Sequence, residues 1–269
     1  MRWSLRPGPR TRSLVIVFSA KRKFEMGGQD FGATTLDLSD RRDAYYAVRT
    51  LALTRALRDF ITDNDIQSVC CLGYSKGGFG SLAVSRALAQ AMPERAFSAF
   101  AFSPQTQLWP ANGRLRYPTY KAFLEGLRSL DATERRRTET LGDQTKPANL
   151  PNLRWLVTYG ARNPVDAGEA LALRGSSVVL DPLPVSFHVS LLFYLVQGLD
   201  REGVTAYFQS IRRAAPSSDA DAAFTQLSEK AERTIDEIMA IPPRRTLPEI
   251  VGWLLRGEWR GAADRAQAA

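Results

Sequence analysis

The stretch Gly73-Tyr74-Ser75-Lys76-Gly77-Gly78 decides the fold, because it joins an apolar run to a helical pattern through a glycine-rich turn. The run before it, Ser68–Leu72, is almost entirely apolar, as in a parallel strand that is covered on both faces. The helical pattern after it begins at Phe79 and is stopped by Pro93. The stretch therefore predicts a strand, a tight turn and a helix, which together form the repeating unit of an α/β sheet.

Other apolar runs of strand length alternate with longer helical patterns along the chain. They are Leu14–Phe18, Phe97–Phe102, Arg154–Tyr159 and Ser177–Leu180, with Phe31–Leu38 as a further candidate. Ahead of Ser68, the apolar residues of Ala44–Ile61 keep an approximately helical period. We therefore expect a doubly wound, mostly parallel α/β sheet.

Residues 105–151 depart from this alternation. They begin with Pro, Gly and Asn residues, continue as an amphipathic helix at Tyr117–Leu130 and then turn charged from Asp131 to Lys146. We interpret them as a helical insertion over the strand ends, where a lid commonly lies.

The two ends of the chain also differ from its middle. Residues 1–12 form a basic N-terminal arm, and residues 13–215 hold the predicted sheet and its insertion. Residues 216–269 show helical patterns only, first at Asp219–Met239 and then at Leu247–Leu255. We expect this C-terminal extension to pack on the main domain or to meet a partner.

Composition narrows the classes of function. The chain has 269 residues and a net charge of +8, from 36 Lys and Arg against 28 Asp and Glu, but the basic residues are scattered. Without a zinc-ligand pattern or an RNA-binding aromatic motif, this charge does not indicate a nucleic-acid partner. The apolar runs are too short for a signal peptide or a membrane span, so we expect a cytoplasmic protein.

The two cysteines, Cys70 and Cys71, are neighbours on a predicted strand. Their side chains should point to opposite faces, where they cannot easily form a disulfide with each other. We interpret them as small buried apolar residues in a reducing compartment.

Ser75 is the candidate nucleophile. A serine raised on a strained turn between strand and helix requires small residues two before and two after it, as Gly73 and Gly77 are. The helix N-terminus also places positive partial charge beside a developing oxyanion. The alternative is a glycine-rich turn that cradles a phosphate or only packs.

His188 is the candidate general base, since a serine hydroxyl needs a neighbouring base and this is the chain's one histidine. It follows the strand Ser177–Leu180, in the loop from which an imidazole reaches such a turn. The alternative is a histidine that caps or packs at a helix starting near Ser186.

The acid that orients the base should lie between serine and histidine, after the strand Arg154–Tyr159. Asn163 occupies the position where an aspartate is often found, and Asp166 is the nearest carboxylate. We choose Asp166, although it also suits the N-cap of a helix at Ala167–Leu173, and Asp181 is the second candidate.

An oxyanion hole would combine the backbone N–H of Lys76 with one from the loop after the first strand, at Ser19 or Ala20. The side chain of Lys76 either meets an acidic substrate or faces solvent. The pair Gly27-Gly28 would let the same loop bend over the site.

These residues resemble the α/β-hydrolase superfamily, with the serine turn at Gly73–Gly77, an acid near Asp166 and the base at His188. The chain is also similar to a bacterial subgroup in which a strand ends in Phe-Ser-Pro-Gln, as at residues 102–105. Members of that subgroup occur with surface-polysaccharide genes, which implies a carbohydrate ester as substrate. No antiparallel strands are recognisable before Leu14, so we expect a shorter sheet than in larger members.

The function that we expect is an esterase-like serine hydrolase with an acyl-enzyme intermediate and a small-molecule or glycan ester as substrate. Transfer of the acyl group to an acceptor other than water is one alternative, since the same three residues serve both outcomes. A non-catalytic scaffold with the same fold is the other. No metal or organic cofactor is implied.

Overall fold

A computed structural model describes residues 1–22, 24, 26–146, 149–173, 175, 177–214 and 231–257, with the backbone alone for residues 211–214. In chain order the elements are β1 (Arg2–Arg6), β2 (Arg10–Ser19), β3 (Ala33–Ser39), α1 (Thr50–Asp63), β4 (Ser68–Tyr74), α2 (Lys76–Ala91), β5 (Ala96–Phe102), α3 (Pro118–Arg128), α4 (Ala132–Leu141), β6 (Leu153–Gly160), α5 (Pro164–Ala172), β7 (Val178–Leu183), α6 (Leu191–Val196), α7 (Arg201–Ala214), α8 (Ala231–Met239) and α9 (Leu247–Arg256).

Seven of these elements form one sheet in the order β1-β3-β2-β4-β5-β6-β7. Every neighbouring pair is parallel except β1 with β3, so the predicted mostly parallel sheet is confirmed. Each predicted apolar run falls within or largely within a strand. The last strand extends further than expected, because Asp181 and Pro182 still pair with Thr158 and Tyr159.

The N-terminal residues differ from the expected arm. Arg2–Arg6 pairs antiparallel with β3, and Arg10 begins β2, so the expectation that no antiparallel strand precedes the first parallel one is wrong. Charged residues suit an edge strand, where they oppose pairing with other chains. Arg6 reaches across to the buried carboxylate of Asp37 on β3, with Nε 3.2 Å from Oδ2.

The first helix begins later than the sequence pattern predicts. Helix α1 starts at Thr50 rather than near Ala44, because Tyr45, Tyr46 and Arg49 adopt positive φ. Both tyrosine rings are buried, so tertiary packing takes these residues out of the helix.

Apolar residues cover both faces of the sheet. One face packs against α1, α2 and α5, and the other against α6 and the helices α8 and α9. Cys70 belongs to one face and Cys71 to the other, both fully buried, as predicted. The described part of the C-terminal extension is therefore part of the core. Residues 216–230 and 258–269 of the predicted extension lie outside the described residues.

The predicted insertion contains the helices α3 and α4. Apolar residues of α3, among them Tyr120 and Phe123, pack with Phe79 of α2 in a third cluster. This packing places the insertion beside the first turn of α2, at the carboxyl ends of the strands.

Candidate active site

Ser75 stands on a strained turn between β4 and α2, with φ 50° and ψ −119°. A Cβ on Gly73 would lie 2.3 Å from the carbonyl oxygen of Gly77, and a Cβ on Gly77 would lie 1.9 Å from that of Phe18. Only glycine fits at either position, since real Cβ contacts are never this short. The backbone N–H of Ser75 donates to the carbonyl of Phe102 at 2.9 Å and ties the turn to β5.

His188 faces this serine, from the loop between β7 and α6. Its Nε2 lies 2.9 Å from Ser75 Oγ, and its Nδ1 lies 2.6 Å from Asp166 Oδ1. The three residues that the sequence singles out are thus joined by two hydrogen bonds. A serine, an imidazole and a carboxylate in this order are able to move a proton from the hydroxyl to the ring and stabilise the resulting charge.

Asp166 lies in the first turn of α5 and does not cap it. The cap is Asn163, whose Oδ1 accepts from the backbone N–H groups of Val165 at 3.0 Å and Asp166 at 3.2 Å. Asp166 is only 2% exposed, and this burial raises its pKa. The neighbouring His188 opposes the shift, because a charged ring favours the carboxylate.

Asp181, the second candidate acid, is engaged with other partners, whereas Asp166 holds His188. Its carboxylate accepts hydrogen bonds from Thr158 Oγ1 and Tyr194 OH, each at 3.0 Å, and pairs with the guanidinium of Arg244. Burial raises the pKa of Tyr194 to about 12, and the charge of Asp181 adds to the shift. Asp181 therefore holds β6, α6 and the segment before α9 together.

Two residues of the insertion also reach the site, and our sequence interpretation did not assign them to it. Gln105 Nε2 lies 3.2 Å from Ser75 Oγ and 3.5 Å from His188 Nε2. The Tyr117 ring packs on the imidazole with 5.1 Å between centroids, and its hydroxyl lies 3.3 Å from Nδ1. The Phe-Ser-Pro-Gln motif was the available signal for Gln105, whereas Tyr117 carries no local signal.

Glu169, one turn after Asp166 on α5, anchors the insertion. Its buried carboxylate accepts hydrogen bonds from the backbone N–H of Thr106 at 2.7 Å, from Asn112 Nδ2 at 2.7 Å and from Arg114 Nε at 2.9 Å. Bonds to an ionised acceptor are among the stronger ones in proteins. The helix that carries the acid thus also fixes the segment that carries Gln105.

The loop that carries His188 is supported from the C-terminal side. The Glu237 carboxylate of α8 accepts from the backbone N–H of Ser186 at 2.8 Å and from its hydroxyl at 3.1 Å. Val185, Phe187 and Val189 alternate around these contacts as buried members of the core that includes α8 and α9. The base is therefore held by helices far along the chain.

The residues predicted for the oxyanion hole lie beside the turn. Lys76 is the first residue of α2, and Ser19 and Ala20 end β2 and begin the next loop. A Cβ on Gly77 would lie 3.4 Å from Ala20 N, so this backbone passes directly behind the serine turn. The Lys76 ammonium forms an ion pair with Asp43 and is mostly buried. It is therefore committed to that partner rather than turned to solvent.

Within the residues that the structure describes, no group of three or more His, Cys, Asp and Glu side chains is arranged to hold a metal ion. No helix of the same ranges is both long and apolar enough to cross a membrane.

Comparison with known proteins finds likeness in structure only. No protein-family model and no curated protein matches the chain. A Glycosylation Associate Protein (Gap123) complex from Streptococcus agalactiae matches 81% of this chain at 17% identity and a TM-score of 0.50. The match covers 44% of that chain, so our protein spans less than half of its length.

Two esterases also match. One is a hyperthermophilic esterase from the archaeon Pyrobaculum calidifontis, at 16% identity over 78% of this chain and 79% of its own, with a TM-score of 0.44. The other is carboxyl esterase 2 of the fungus Tuber melanosporum, at 15% identity over 78% of each chain, with a TM-score of 0.48. With its sheet order and with the serine turn at the end of β4, the protein has an α/β-hydrolase fold.

Proposed function

We propose that the protein is an esterase-like serine hydrolase that works through an acyl-enzyme at Ser75. The observation that carries the proposal is the hydrogen-bonded order Ser75, His188, Asp166, with distances of 2.9 and 2.6 Å. A scaffold without activity would have no need of a strained, glycine-dependent serine turn aimed at a paired imidazole.

In the first step, His188 Nε2 takes the proton of Ser75 Oγ as the oxygen attacks the ester carbonyl. The protonated ring is stabilised by Asp166, which is buried against Nδ1. The C–O bond to the leaving alcohol then breaks, and His188 returns the proton to that alcohol. The acyl group remains on Ser75.

In the second step, water attacks the acyl carbon while His188 takes its proton. The bond from that carbon to Ser75 Oγ then breaks, His188 returns the proton to Oγ, and the carboxylic acid leaves. An acceptor alcohol or amine in place of water makes the same site an acyltransferase, which stays the alternative. Since exclusion of water decides between them, the insertion is the segment to examine. We propose it as a lid, because Tyr117 already packs on the imidazole.

The negative oxygen that develops in both steps needs donors. We propose the backbone N–H of Lys76 together with one from Ser19 or Ala20, which pass beside Gly77. Gln105 Nε2, at 3.2 Å from Ser75 Oγ, is a further donor at the reacting atoms. Losing one donor of this kind typically costs about 100- to 1,000-fold in kcat.

For the substrate we propose an acylated carbohydrate. The support is the resemblance stated from the Phe-Ser-Pro-Gln motif, together with the name of the streptococcal complex, a glycosylation-associated protein.

Labelling with a fluorophosphonate probe tests the proposed machinery. We expect the wild-type protein to be labelled at Ser75, and Ser75→Ala and His188→Ala to lose the label. Ser129→Ala is the matched control, because its hydroxyl is exposed and donates to the nearby Gly126 carbonyl. A folded wild-type protein that neither reacts with the probe nor hydrolyses short-chain aryl esters would contradict the proposal and favour the non-catalytic scaffold.

A further inference from the structure

Three arginines converge on a cavity near the edge of the sheet. Arg2, Arg22 and Arg41 line a space of about 480 Å³. Arg2 belongs to β1, Arg22 to the loop after β2 and Arg41 to the loop after β3. All three are exposed, and positive charges grouped in this way attract anions.

Carboxylates of the neighbouring segments that the structure describes are engaged elsewhere. Asp37 pairs with Arg6, and Asp43 pairs with Lys76. Asp40 accepts hydrogen bonds from backbone N–H groups of its own loop. Among the described residues, no ion pair joins any of the three cavity arginines to a carboxylate.

One of the three arginines, Arg2, is held in place by an aromatic ring. The guanidinium carbon of Arg2 lies 5.1 Å from the centre of the Phe24 ring, within the range of a cation–π contact. Arg2 also lies opposite Ser39 in the β1–β3 pairing, which fixes its height at the sheet edge. An arginine oriented in this way loses less freedom when it binds an anion.

The cavity lies at the same edge of the sheet as Ser75. Arg22 and Arg41 follow the carboxyl ends of β2 and β3, and antiparallel β1 brings Arg2 to that edge as well. These strands are one to three places from β4, which ends at Ser75, or roughly 5 to 15 Å at the usual strand spacing. Counted by strand positions, the arginines and Ser75 are therefore no further apart than the length of one extended substrate.

We propose that the arginine cavity binds a phosphoryl group carried by the substrate of Ser75. Guanidinium groups offer paired N–H donors that match phosphate oxygens. A phosphoryl dianion or pyrophosphate also neutralises three positive charges better than a single carboxylate does. The inference rests on the proposed function, and it narrows the substrate to esters that are also phosphorylated. The phosphoryl group contributes to substrate binding, and the reaction does not cleave it.

Binding is tested first in a protein that cannot turn over substrate. Inorganic pyrophosphate is titrated into Ser75→Ala by calorimetry, and then into Ser75→Ala carrying Arg22→Gln and Arg41→Gln. We expect binding in the first and a loss of about tenfold for each arginine removed. Arg58→Gln is the control for the loss of one positive charge, which it removes from an exposed pair with Asp59 on α1. Absent binding, or equal binding in all variants, would overturn the inference.

Turnover gives the second arm. Acetate release is compared for O-acetylglucose 6-phosphate and O-acetylglucose, with the wild type and with the double arginine variant. We expect a preference for the phosphorylated ester that the variant loses, while kcat/KM for the neutral ester is unchanged. Equal turnover of both esters would overturn the inference and leave the proposed function standing. Failure to cleave any ester would count against the proposed function, and the calorimetric result alone would then decide whether the cavity binds a phosphoryl group.

A third arm separates a soluble substrate from a membrane surface. Vesicles of phosphatidylcholine with and without phosphatidylglycerol are sedimented with the protein. We expect no binding that depends on Arg22 and Arg41. Arginine-dependent vesicle binding without pyrophosphate binding would assign the cavity to lipid headgroups and overturn the substrate proposal.

Discussion

Glu237 accepts two hydrogen bonds from Ser186, at 2.8 Å from its backbone N–H and 3.1 Å from its hydroxyl. Ser186 stands two residues before His188, and Glu237 lies 51 residues further along the chain, on α8. A helix of the C-terminal extension therefore sets the position of the loop that presents the imidazole.

We expect Glu237→Gln to lower kcat for a short aryl ester by about tenfold with little change in KM. The reason is that a neutral amide replaces a charged acceptor, and bonds to charged groups contribute about 1.5 to 3 kcal/mol. Steady-state kinetics on the folded proteins measures kcat and KM separately. Asp236→Asn is the control, since that exposed neighbour pairs with Arg201. Equal behaviour of the two variants would argue against a positioning role for Glu237.

We expect Asp166→Asn and Asp181→Asn to separate catalysis from stability. The first change removes the acceptor for His188 Nδ1 and should reduce kcat about 10⁴-fold. The second weakens the contacts with Tyr194 and Arg244, so we expect near-normal kcat and a free energy of unfolding lower by about 1 to 2 kcal/mol. Ester turnover and urea unfolding measure the two effects. The reverse pattern would transfer the role of the acid to Asp181.

Gly77→Ala should prevent the native fold from forming. Its Cβ would stand 1.9 Å from the Phe18 carbonyl oxygen, and the backbones of both residues are close-packed and have no room to shift. Yield of folded protein and thermal unfolding measure the effect. Gly113→Ala is the control, because a Cβ there meets nothing within 4 Å. A stable, active Gly77→Ala protein would contradict the described turn.

The two cysteines should be unreactive in the native protein. Burial raises the pKa of Cys70 to about 12 and that of Cys71 well above its usual range. Since the thiolate is the reactive form, Ellman's reagent should titrate neither thiol at pH 8 and both in guanidinium chloride. Rapid reaction of either thiol without denaturant would mean that the sheet opens there.

The strands and the serine turn could be predicted from the local sequence, because each depends on a short run of residues. The same is true of His188 as a candidate, since the composition offers one histidine. His188 lies beside Ser75, which is 113 residues earlier in the chain, because the carboxyl ends of parallel strands share one edge of the sheet.

What the sequence could not predict depends on contacts between distant segments. Glu237 with Ser186, and Glu169 with Thr106, are joined only by folding, and neither pair leaves a local pattern. Likewise, the positive φ of Tyr45 and Tyr46 follows from the packing of their rings against the core, which overrides a helical pattern. The edge strand Arg2–Arg6 is recognisable only once Asp37 is known to lie opposite it.

Because Asn163 caps α5 and Asp166 follows three positions later, the carboxylate is aimed by helical phase rather than by a loop. Each residue of an α-helix turns the side-chain direction by about 100°. Inserting or deleting one residue between the cap and Asp166 would swing the carboxylate away from the imidazole, however well the altered first turn folded. Homologues that keep this arrangement should therefore keep two residues between the cap and the acid, whatever the identities of those residues.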